Sequence, residues 1–175
     1  MEIRLADLHD LNACLAIDDS FETEYVWQMD EQNRPGQIAV NFRVTRLPRP
    51  MRVSDVILAD SVIHDFQTGG MLFVADDDGV CGFIDVVARE WEQLMFINNF
   101  AVAPAHRRKG VGTRLMRAAL DWGRQQKLRV AILDTSTKDY PAICFYQKQG
   151  FTFCGFNDHL YPNRDIALYF AINLH

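Results

Sequence analysis

Three consecutive cations, Arg107, Arg108 and Lys109, stand directly before two closely spaced glycines, Gly110 and Gly112, in a chain whose formal net charge is -5. An apolar run precedes this segment and an amphipathic run follows it, so the glycines lie where a helix begins. The free backbone N–H groups and the dipole of a helix N-terminus favour negative charge, and glycines let the backbone approach a ligand closely. The segment therefore predicts a site for a phosphate-bearing ligand.

Two familiar glycine motifs for phosphate binding do not fit this segment. The P-loop pattern G-x-x-x-x-G-K-[ST] is absent, and the dinucleotide pattern G-x-G-x-x-G fails because Leu115 stands where its third glycine is required. Neither ATP nor NAD is therefore favoured as the ligand. Taken by itself, the segment is also compatible with a solvated basic turn, and that alternative stays open at this point.

Hydrophobic patterns around the glycine segment indicate the elements that hold it. A strand pattern covers residues 94–102, and apolar side chains recur at helical spacing over residues 110–126. Residues 18–68 are left open, because possible strands alternate there with a proline-rich break at residues 47–50. The order of elements predicts an α/β domain with a mixed central sheet. Further strands are predicted at residues 2–5, 71–75, 80–88, 130–133, 152–154 and 166–172, with helices after Asp7 and over residues 141–149.

Length and composition set the class of protein. The chain has 175 residues, of which 49% are hydrophobic and 23% charged, and this predicts one folded domain over residues 1–175. No apolar run approaches the roughly 18 residues of a membrane helix, and the N-terminus lacks a signal-peptide pattern. We therefore expect a soluble cytoplasmic protein that binds no membrane. The acidic balance argues against general nucleic-acid binding.

The cysteines have spacings that do not suggest a metal site. No C-x-x-C pair occurs, and each cysteine lies in an apolar context. This pattern predicts buried free thiols rather than metal ligands or a disulfide framework, so no metal is expected. The four residues are Cys14, Cys81, Cys144 and Cys154.

Two motifs together resemble a known enzyme family. Residues 102–112, VAPAHRRKGVG, resemble the V-x-P-x-x-R-x-x-G-x-G signature of the GNAT acyl-CoA N-acyltransferases, and residues 142–151, AICFYQKQGF, resemble their second signature, A-x-x-x-Y-x-x-x-G-F. The two occur in the family's order, with a predicted strand between them. The resemblance implies a GNAT fold, in which helices flank a mixed, mostly antiparallel central sheet. It also implies acetyl-CoA as cosubstrate and no metal.

The resemblance assigns residues to the coenzyme. The end of the strand before the loop would give backbone hydrogen bonds to the pantetheine arm, and Tyr146 would reach the thioester sulfur as the general acid. Arg107 would either brace the loop or add charge. The pantetheine residues would be Phe100, Ala101 and Val102, and the pyrophosphate residues would be Arg108, Lys109, Gly110, Val111, Gly112 and Thr113.

The sequence offers more than one route for the proton that the attacking amine must lose. Several members of the family carry a glutamate on the strand before the glycine loop, but here that strand has Asn98 and Asn99, whose amides cannot accept a proton. Asp134 ends the next strand, where some members carry a glutamate described as the base. A turn-capping role for Asp134 and deprotonation through water remain alternatives. Asp139, before the second helix, is expected to be a cap.

Three further segments, residues 20–27, 150–161 and 167–170, resemble the streptothricin (nourseothricin) acetyltransferases within this family. Such enzymes acetylate an amine of a polycationic antibiotic, and a cationic substrate is bound by carboxylates and aromatic faces. The acceptor-site residues that this resemblance suggests are Glu22, Glu24, Tyr25, Trp27, Asn98 and Asp158, with Asp18, Asp19, Trp91 and Tyr161 as further candidates. Each of these, taken singly, is also compatible with a solvated or core position.

The function expected from these resemblances is transfer of an acetyl group from acetyl-CoA to a primary amine of a small cationic acceptor, such as streptothricin, with a role in antibiotic resistance. Two alternatives stay open. The acceptor would instead be a protein N-terminus or lysine, or the protein would bind acyl-CoA without catalysis. The missing strand glutamate favours the last alternative, and Tyr146 opposes it. We expect a monomer or a homodimer.

Overall fold

The fold is built on a seven-stranded sheet with a separate two-stranded hairpin. In the computed structural model, which describes residues 1–54 and 59–175, a single 3-10 turn also lies at Pro104–His106. The strands are β1 (Glu2–Leu5), β2 (Phe21–Arg34), β3 (Gln37–Val53), β4 (Met71–Asp76), β5 (Val80–Arg89), β6 (Leu94–Val102), β7 (Val130–Ser136), β8 (Thr152–Asn157) and β9 (Ala167–Asn173). The helices are α1 (Asp10–Leu15), α2 (Ala59–Gln67), α3 (Val111–Gln125) and α4 (Tyr140–Lys148).

The strand order in the large sheet is β1-β4-β5-β6-β7-β9-β8. Every neighbouring pair is antiparallel except β6 and β7, which run parallel. A parallel pair requires a crossover connection, and α3 provides it. The predicted α/β fold with a mixed, mostly antiparallel sheet is confirmed.

Each face of the large sheet buries its own hydrophobic cluster. On one face, Leu115, Met116 and Ala119 of α3 pack with a cluster that includes Ile84 of β5. On the other face, α1 and α2 cover a smaller cluster that includes Phe83. Because Phe83 and Ile84 are adjacent in one strand, their side chains point to opposite faces, and β5 is buried on both sides.

The long hairpin of β2 and β3 occupies the region that the sequence left open. Its register breaks between Thr23 and Tyr25, where the partner changes from Met51 to Arg46 and the proline-rich residues 47–50 have no partner in β2. Proline has no backbone N–H for a strand ladder, which accounts for the break. The hairpin is fixed to the large sheet by the Trp27 N–H, which donates to the Thr137 carbonyl at 2.9 Å.

Two local predictions differ from the structure. The first helix begins at Asp10 rather than directly after Asp7, because the Asp7 carboxylate accepts the His9 N–H at 2.7 Å and holds a turn there. Leu8 is consequently 70% exposed. All four cysteines are free, and Cys14 and Cys81 are buried as predicted. Cys144 is only half-buried, and Cys154 is exposed because it lies on β8 at the edge of the sheet.

Among residues 1–54 and 59–175, no helix has the length and apolar character needed to cross a bilayer.

Candidate active site

The central feature of the candidate site is an opening between β6 and β7. These parallel strands pair only from Leu94 to Ile97 on β6, opposite Val130 to Leu133 on β7. Beyond Ile97, β6 continues to Val102 against β5, while β7 continues to Ser136 against β9. Within the part of the chain that the structure describes, one edge of residues 98–102 is therefore free of a strand partner, and an extended ligand could hydrogen-bond to this backbone.

A bulge in β6 lies at the start of this opening. Asp85 is opposite Asn99 and Val86 is opposite Ile97, so Asn98 is an extra residue without a counterpart on β5. A bulge bends its strand and increases the local twist. This bend turns β6 away from β7 where the pairing of the two strands ends.

The loop after β6 has the geometry of an anion site. Arg108 and Gly110 both adopt left-handed conformations, with φ of 62° and 84°. Gly110 precedes the first turn of α3, and no side chain of residues 1–54 or 59–175 caps this helix. Arg108 and Lys109 are exposed beside it. The free N–H groups of the first turn and these cations could hold a pyrophosphate.

Arg107 braces the loop instead of projecting from it. Its Nε donates to the Val102 carbonyl at 2.8 Å, its Nη1 to the Ser20 carbonyl at 2.6 Å, and its Nη2 to the Asp18 carbonyl at 2.7 Å. Of the two roles that the sequence left open for Arg107, these contacts favour bracing. They also connect the start of β2 to the end of β6, a connection that no local sequence pattern indicates.

Close packing around Gly112 sets the distance between α3, α4 and β6. A Cβ atom at this position would lie 3.1 Å from Cζ of Phe100 and 3.5 Å from Cζ of Phe145. The two phenylalanine rings stack on each other with centroids 5.5 Å apart. The absence of a side chain at Gly112 therefore allows the first turn of α3 to approach the end of β6.

Tyr146, on α4, is 7% exposed and is surrounded by the rings of Phe100, Phe145 and Phe151, with centroids 5.7–6.4 Å from its own. Burial raises the pKa of Tyr146 far above its ordinary value, and the nearby charges of Asp139 and Asp134 add to this rise. The hydroxyl therefore stays protonated, and it forms no hydrogen bond with any residue of the described ranges. It is available to donate a proton or a hydrogen bond.

Asp134, on β7, is paired with a tyrosine from the other side of the site. The Tyr161 hydroxyl donates to Oδ2 of Asp134 at 2.6 Å from the connection between β8 and β9. Burial raises the pKa of Asp134, and the hydrogen bond from Tyr161 opposes that rise. The sequence placed Tyr161 only among the candidate aromatic residues, and a contact across 27 positions leaves no local signal.

Asp139 is the N-cap of α4, as predicted. Its Oδ1 accepts the Ala142 N–H at 3.2 Å, and the Thr135 hydroxyl donates to its Oδ2 at 3.3 Å. Burial raises the pKa of Asp139 to about 6. Both carboxylate oxygens are thus engaged in fixing the start of the helix that carries Tyr146.

The acceptor residues suggested by the sequence divide into two groups. Tyr25 and Trp27 are half-buried, and the Tyr25 ring lies 5.1 Å from that of Tyr140 at the start of α4. The acidic residues Glu22, Glu24 and Asp158 are exposed instead.

Two of these acids are in contact with basic side chains of their own. Glu24 pairs with Arg46 at 3.2 Å, and Asp158 pairs with His159 at 2.7 Å. Glu22 stands opposite Arg52 in the hairpin register. The structure therefore brings the aromatic residues to α4, whereas these acids face solvent. Within the described ranges, no cluster of His, Cys, Asp and Glu is arranged to bind a metal ion.

Comparison with known proteins identifies the class of this site. The family model for the acetyltransferase (GNAT) family matches residues 37–151. Streptothricin acetyltransferase of Streptomyces lavendulae is 30% identical over 168 residues, which cover 91% of this chain and 86% of that protein. The crystal structure of nourseothricin acetyltransferase superposes with a TM-score of 0.86 at 26% identity, covering 99% of this chain and 98% of that one.

A Bacillus anthracis strain Ames structure, solved in complex with acetyl coenzyme A, superposes with a TM-score of 0.78 at 22% identity and covers 98% of both chains. The chain belongs to the acetyltransferase (GNAT) family. It is an acetyl-CoA-dependent N-acetyltransferase, and the predicted enzyme class and cosubstrate are confirmed.

We expect Gly112→Asp to abolish the binding of acetyl-CoA. The new side chain would add bulk beside Phe100 and Phe145 and negative charge at the first turn of α3, where the helix dipole favours an anion. Titration calorimetry with acetyl-CoA measures this loss. Gly155→Asp is the matched control, because a Cβ at Gly155 meets no atom within 4 Å, and it should bind as the parent does. Parent-like affinity in Gly112→Asp would exclude this helix end as the coenzyme site.

Proposed function

We propose that this enzyme acetylates a primary amine of a small cationic acceptor of the streptothricin type. The observation that carries the proposal is the 30% identity to a streptothricin acetyltransferase over 91% of the chain. That match extends beyond the coenzyme motifs into nearly all of the remaining sequence. The long β2–β3 hairpin, which lies outside those motifs, is therefore part of the likeness.

The coenzyme is proposed to lie along the opening between β6 and β7. Its pyrophosphate would bind at the first turn of α3, on the backbone of residues 108–113 and the side chains of Arg108 and Lys109. Its pantetheine arm would run along Phe100, Ala101 and Val102, whose edge has no strand partner. This path would lead from the loop after β6, which carries Arg108 and Lys109, toward Tyr146 and Asp134. It would place the thioester between these two residues.

Tyr146 is proposed to protonate the departing sulfur. Its hydroxyl has no other hydrogen bond among the described residues, and its strongly raised pKa keeps the hydroxyl in the protonated form that can donate to the sulfur. The aromatic rings around it give the hydroxyl a largely apolar environment.

Asp134 is proposed to accept a proton from the acceptor ammonium. Its pKa is raised by burial, which makes it a stronger base than an exposed aspartate, and Tyr161 fixes the position of its carboxylate. The same negative charge would attract the cationic nitrogen before the proton moves. This role replaces that of the strand glutamate whose position is occupied here by amides.

In the proposed reaction, the acceptor nitrogen loses two protons by different routes. The ammonium gives one proton to Asp134, which passes it to water. The free amine attacks the acetyl carbonyl carbon, so a C–N bond forms and the C–S bond breaks. The sulfur takes the Tyr146 proton, and the second nitrogen proton restores Tyr146 through water. The products are an N-acetylated amine, coenzyme A and one released proton.

The acceptor is proposed to enter beside the Tyr25 and Tyr140 rings, which lie 5.1 Å apart at the start of α4. Aromatic faces of this kind attract cations. The exposed acids Glu22, Glu24 and Asp158 would add a longer-range attraction rather than direct contacts, since they face solvent. Such attraction is screened over about 8 Å at physiological ionic strength.

A comparison of acceptors tests the proposed function. Release of the coenzyme thiol is followed with streptothricin, with a neutral amine of similar size and with a peptide that has a free N-terminus. We expect streptothricin to have the highest kcat/KM, and added salt to raise its KM because the attraction between opposite charges is screened. Faster turnover of the peptide, with streptothricin inert, would contradict this acceptor.

Tyr146→Phe should lower kcat on the order of 10²-fold, because it removes one proton-transfer group and keeps the ring. The affinity for acetyl-CoA should stay close to that of the parent. Steady-state kinetics and calorimetry measure the two effects. Gln147→Ala, at an exposed position of the same helix, is the matched control and should retain kcat within a few-fold, since its side chain has no assigned role in the site. An unchanged kcat in Tyr146→Phe, with chemistry rate-limiting, would return Tyr146 to a packing role.

Asp134→Asn should remove the acidic limb of the kcat/KM profile, because the amide cannot accept a proton. The parent should gain activity as the pH rises through the pKa of Asp134, which burial places above the ordinary aspartate value. Tyr161→Phe deletes the hydrogen bond that lowers this pKa, so its acidic limb should move to higher pH. A rate loss below about threefold in Asp134→Asn across the profile would favour deprotonation through water.

A further inference from the structure

A pair of buried carboxyl groups lies on the face of β5 and β6 that α2 covers, and the proposed mechanism does not use it. Asp85 of β5 is 1% exposed, and Asp65 of α2 is 8% exposed. The charge of Asp65 and a side-chain hydrogen bond with it both raise the pKa of Asp85. Among the described residues, no cation acts on Asp85, and Asp65 is the charged group that does.

Two carboxylates in contact, without a cation, cannot both ionise at low cost. A hydrogen bond between them requires that one carries a proton, since ionised carboxylates only accept. The pKa of Asp85 is raised to about 7, mainly by burial and in addition by the charge of Asp65. Asp85 therefore holds a proton below neutral pH and loses it as the pH rises through about 7.

The amides of the β6 bulge are both attached to this pair. Nδ2 of Asn99 donates to Oδ2 of Asp85 at 2.9 Å, and Nδ2 of Asn98 donates to Oδ2 of Asp65 at 2.8 Å. A carboxylate accepts only from the NH₂ side of an amide, so each contact fixes the orientation of the amide group. Asn98 is exposed, and it is the bulge residue at the start of the opening between β6 and β7.

We propose that Asp65 is a positioning residue that holds Asn98 with its side-chain carbonyl toward the acceptor, and that the proton shared with Asp85 keeps Asp65 in place. The Asn98 carbonyl then accepts an N–H of the amine and directs the nitrogen lone pair toward the thioester. This inference rests on the proposed function in one respect, namely that the acceptor amine reaches the opening beside Asn98.

The shared proton gives this arrangement a pH dependence. The groups that act on Asp85 are Asp65 from α2 and Asn99 from β6, whose amide also donates to the Ser61 hydroxyl at 3.4 Å. Among the described residues, the only charge that acts on Asp85 is that of Asp65. Loss of the proton brings two like charges into contact and disturbs the Asp65–Asn98 hydrogen bond. The acceptor KM should therefore rise as the pH increases through about 7, whereas the KM for acetyl-CoA should not follow it.

A double-mutant cycle tests the positioning role. Asn98→Ala and Asp65→Ala should each raise the acceptor KM up to about tenfold, the usual effect of losing one hydrogen bond, with smaller changes in the KM for acetyl-CoA. Because Asp65 acts through Asn98, Asp65→Ala should add little in the Asn98→Ala background. Asp121→Asn, at an exposed position near the end of α3, is the matched control and should behave as the parent. Independent, additive effects would overturn the proposal.

Asp85→Asn tests the shared proton. Its amide N–H can replace the acidic proton toward Asp65 at every pH, so the acceptor KM should become flat between about pH 6 and 8 while kcat is retained. Asp85 binds its proton more tightly in the folded protein, with a pKa of about 7, than in the unfolded chain, at 3.8. The parent should therefore lose stability relative to Asp85→Asn as the pH rises from 3.8 to about 7. A KM that keeps the parent's pH dependence in Asp85→Asn would contradict the proposal.

Nuclear magnetic resonance separates this inference from the proposed function, because it requires no acceptor. In the parent protein, the side-chain amide signal of Asn98 should shift with pH through the same midpoint near 7 as the Asp85 carboxyl carbon. Asp85→Asn should abolish the shift of the amide. If the Asn98 signal of the parent did not shift with pH, the proposed link between the Asp85 proton and Asn98 would be overturned, whatever amine the enzyme accepts. The kinetic cycle is carried out with the acceptor that the enzyme turns over fastest.

Discussion

The separation of β6 from β7 is the constraint on which the rest of the site depends. Four residue pairs hold the parallel strands together, and the extra residue at Asn98 then bends β6 away. A sheet that stayed paired to its end would have closed this space with backbone hydrogen bonds. The opening instead exposes the edge of β6 to a ligand, and it lies between α3, which follows the loop of Arg107, Arg108 and Lys109, and α4, which carries Tyr146.

Two side chains near the opening hold neighbouring segments of the chain in fixed positions. Arg107 ties the end of β6 to the backbone before β2, and Tyr161 ties the β8–β9 connection to Asp134 on β7. The first contact links the proposed coenzyme loop to the proposed acceptor side, and the second fixes the proposed base. The chemistry of the site thus depends on side chains that hold backbone segments as much as on those that would touch substrates.

Local patterns in the sequence were sufficient for the elements around the coenzyme site, because periodicity and glycine placement are short-range signals. The predicted strand at residues 94–102 has the bounds of β6, and the predicted helices at 110–126 and 141–149 differ from α3 and α4 by one residue at each end. The β2–β3 hairpin could not be delimited, since residues 47–50 interrupt its pairing. The contacts of Asp134 with Tyr161 and of Asp65 with Asn98 depend on the sheet order, which no local pattern encodes.

The most direct test of the central claim is a crystal structure of the enzyme with acetyl-CoA. The account predicts the pyrophosphate on the first turn of α3, the pantetheine arm hydrogen-bonded to the free edge of residues 100–102, and the thioester sulfur within hydrogen-bonding distance of the Tyr146 hydroxyl. A coenzyme bound away from the opening between β6 and β7, or a sulfur directed away from Tyr146, would contradict it.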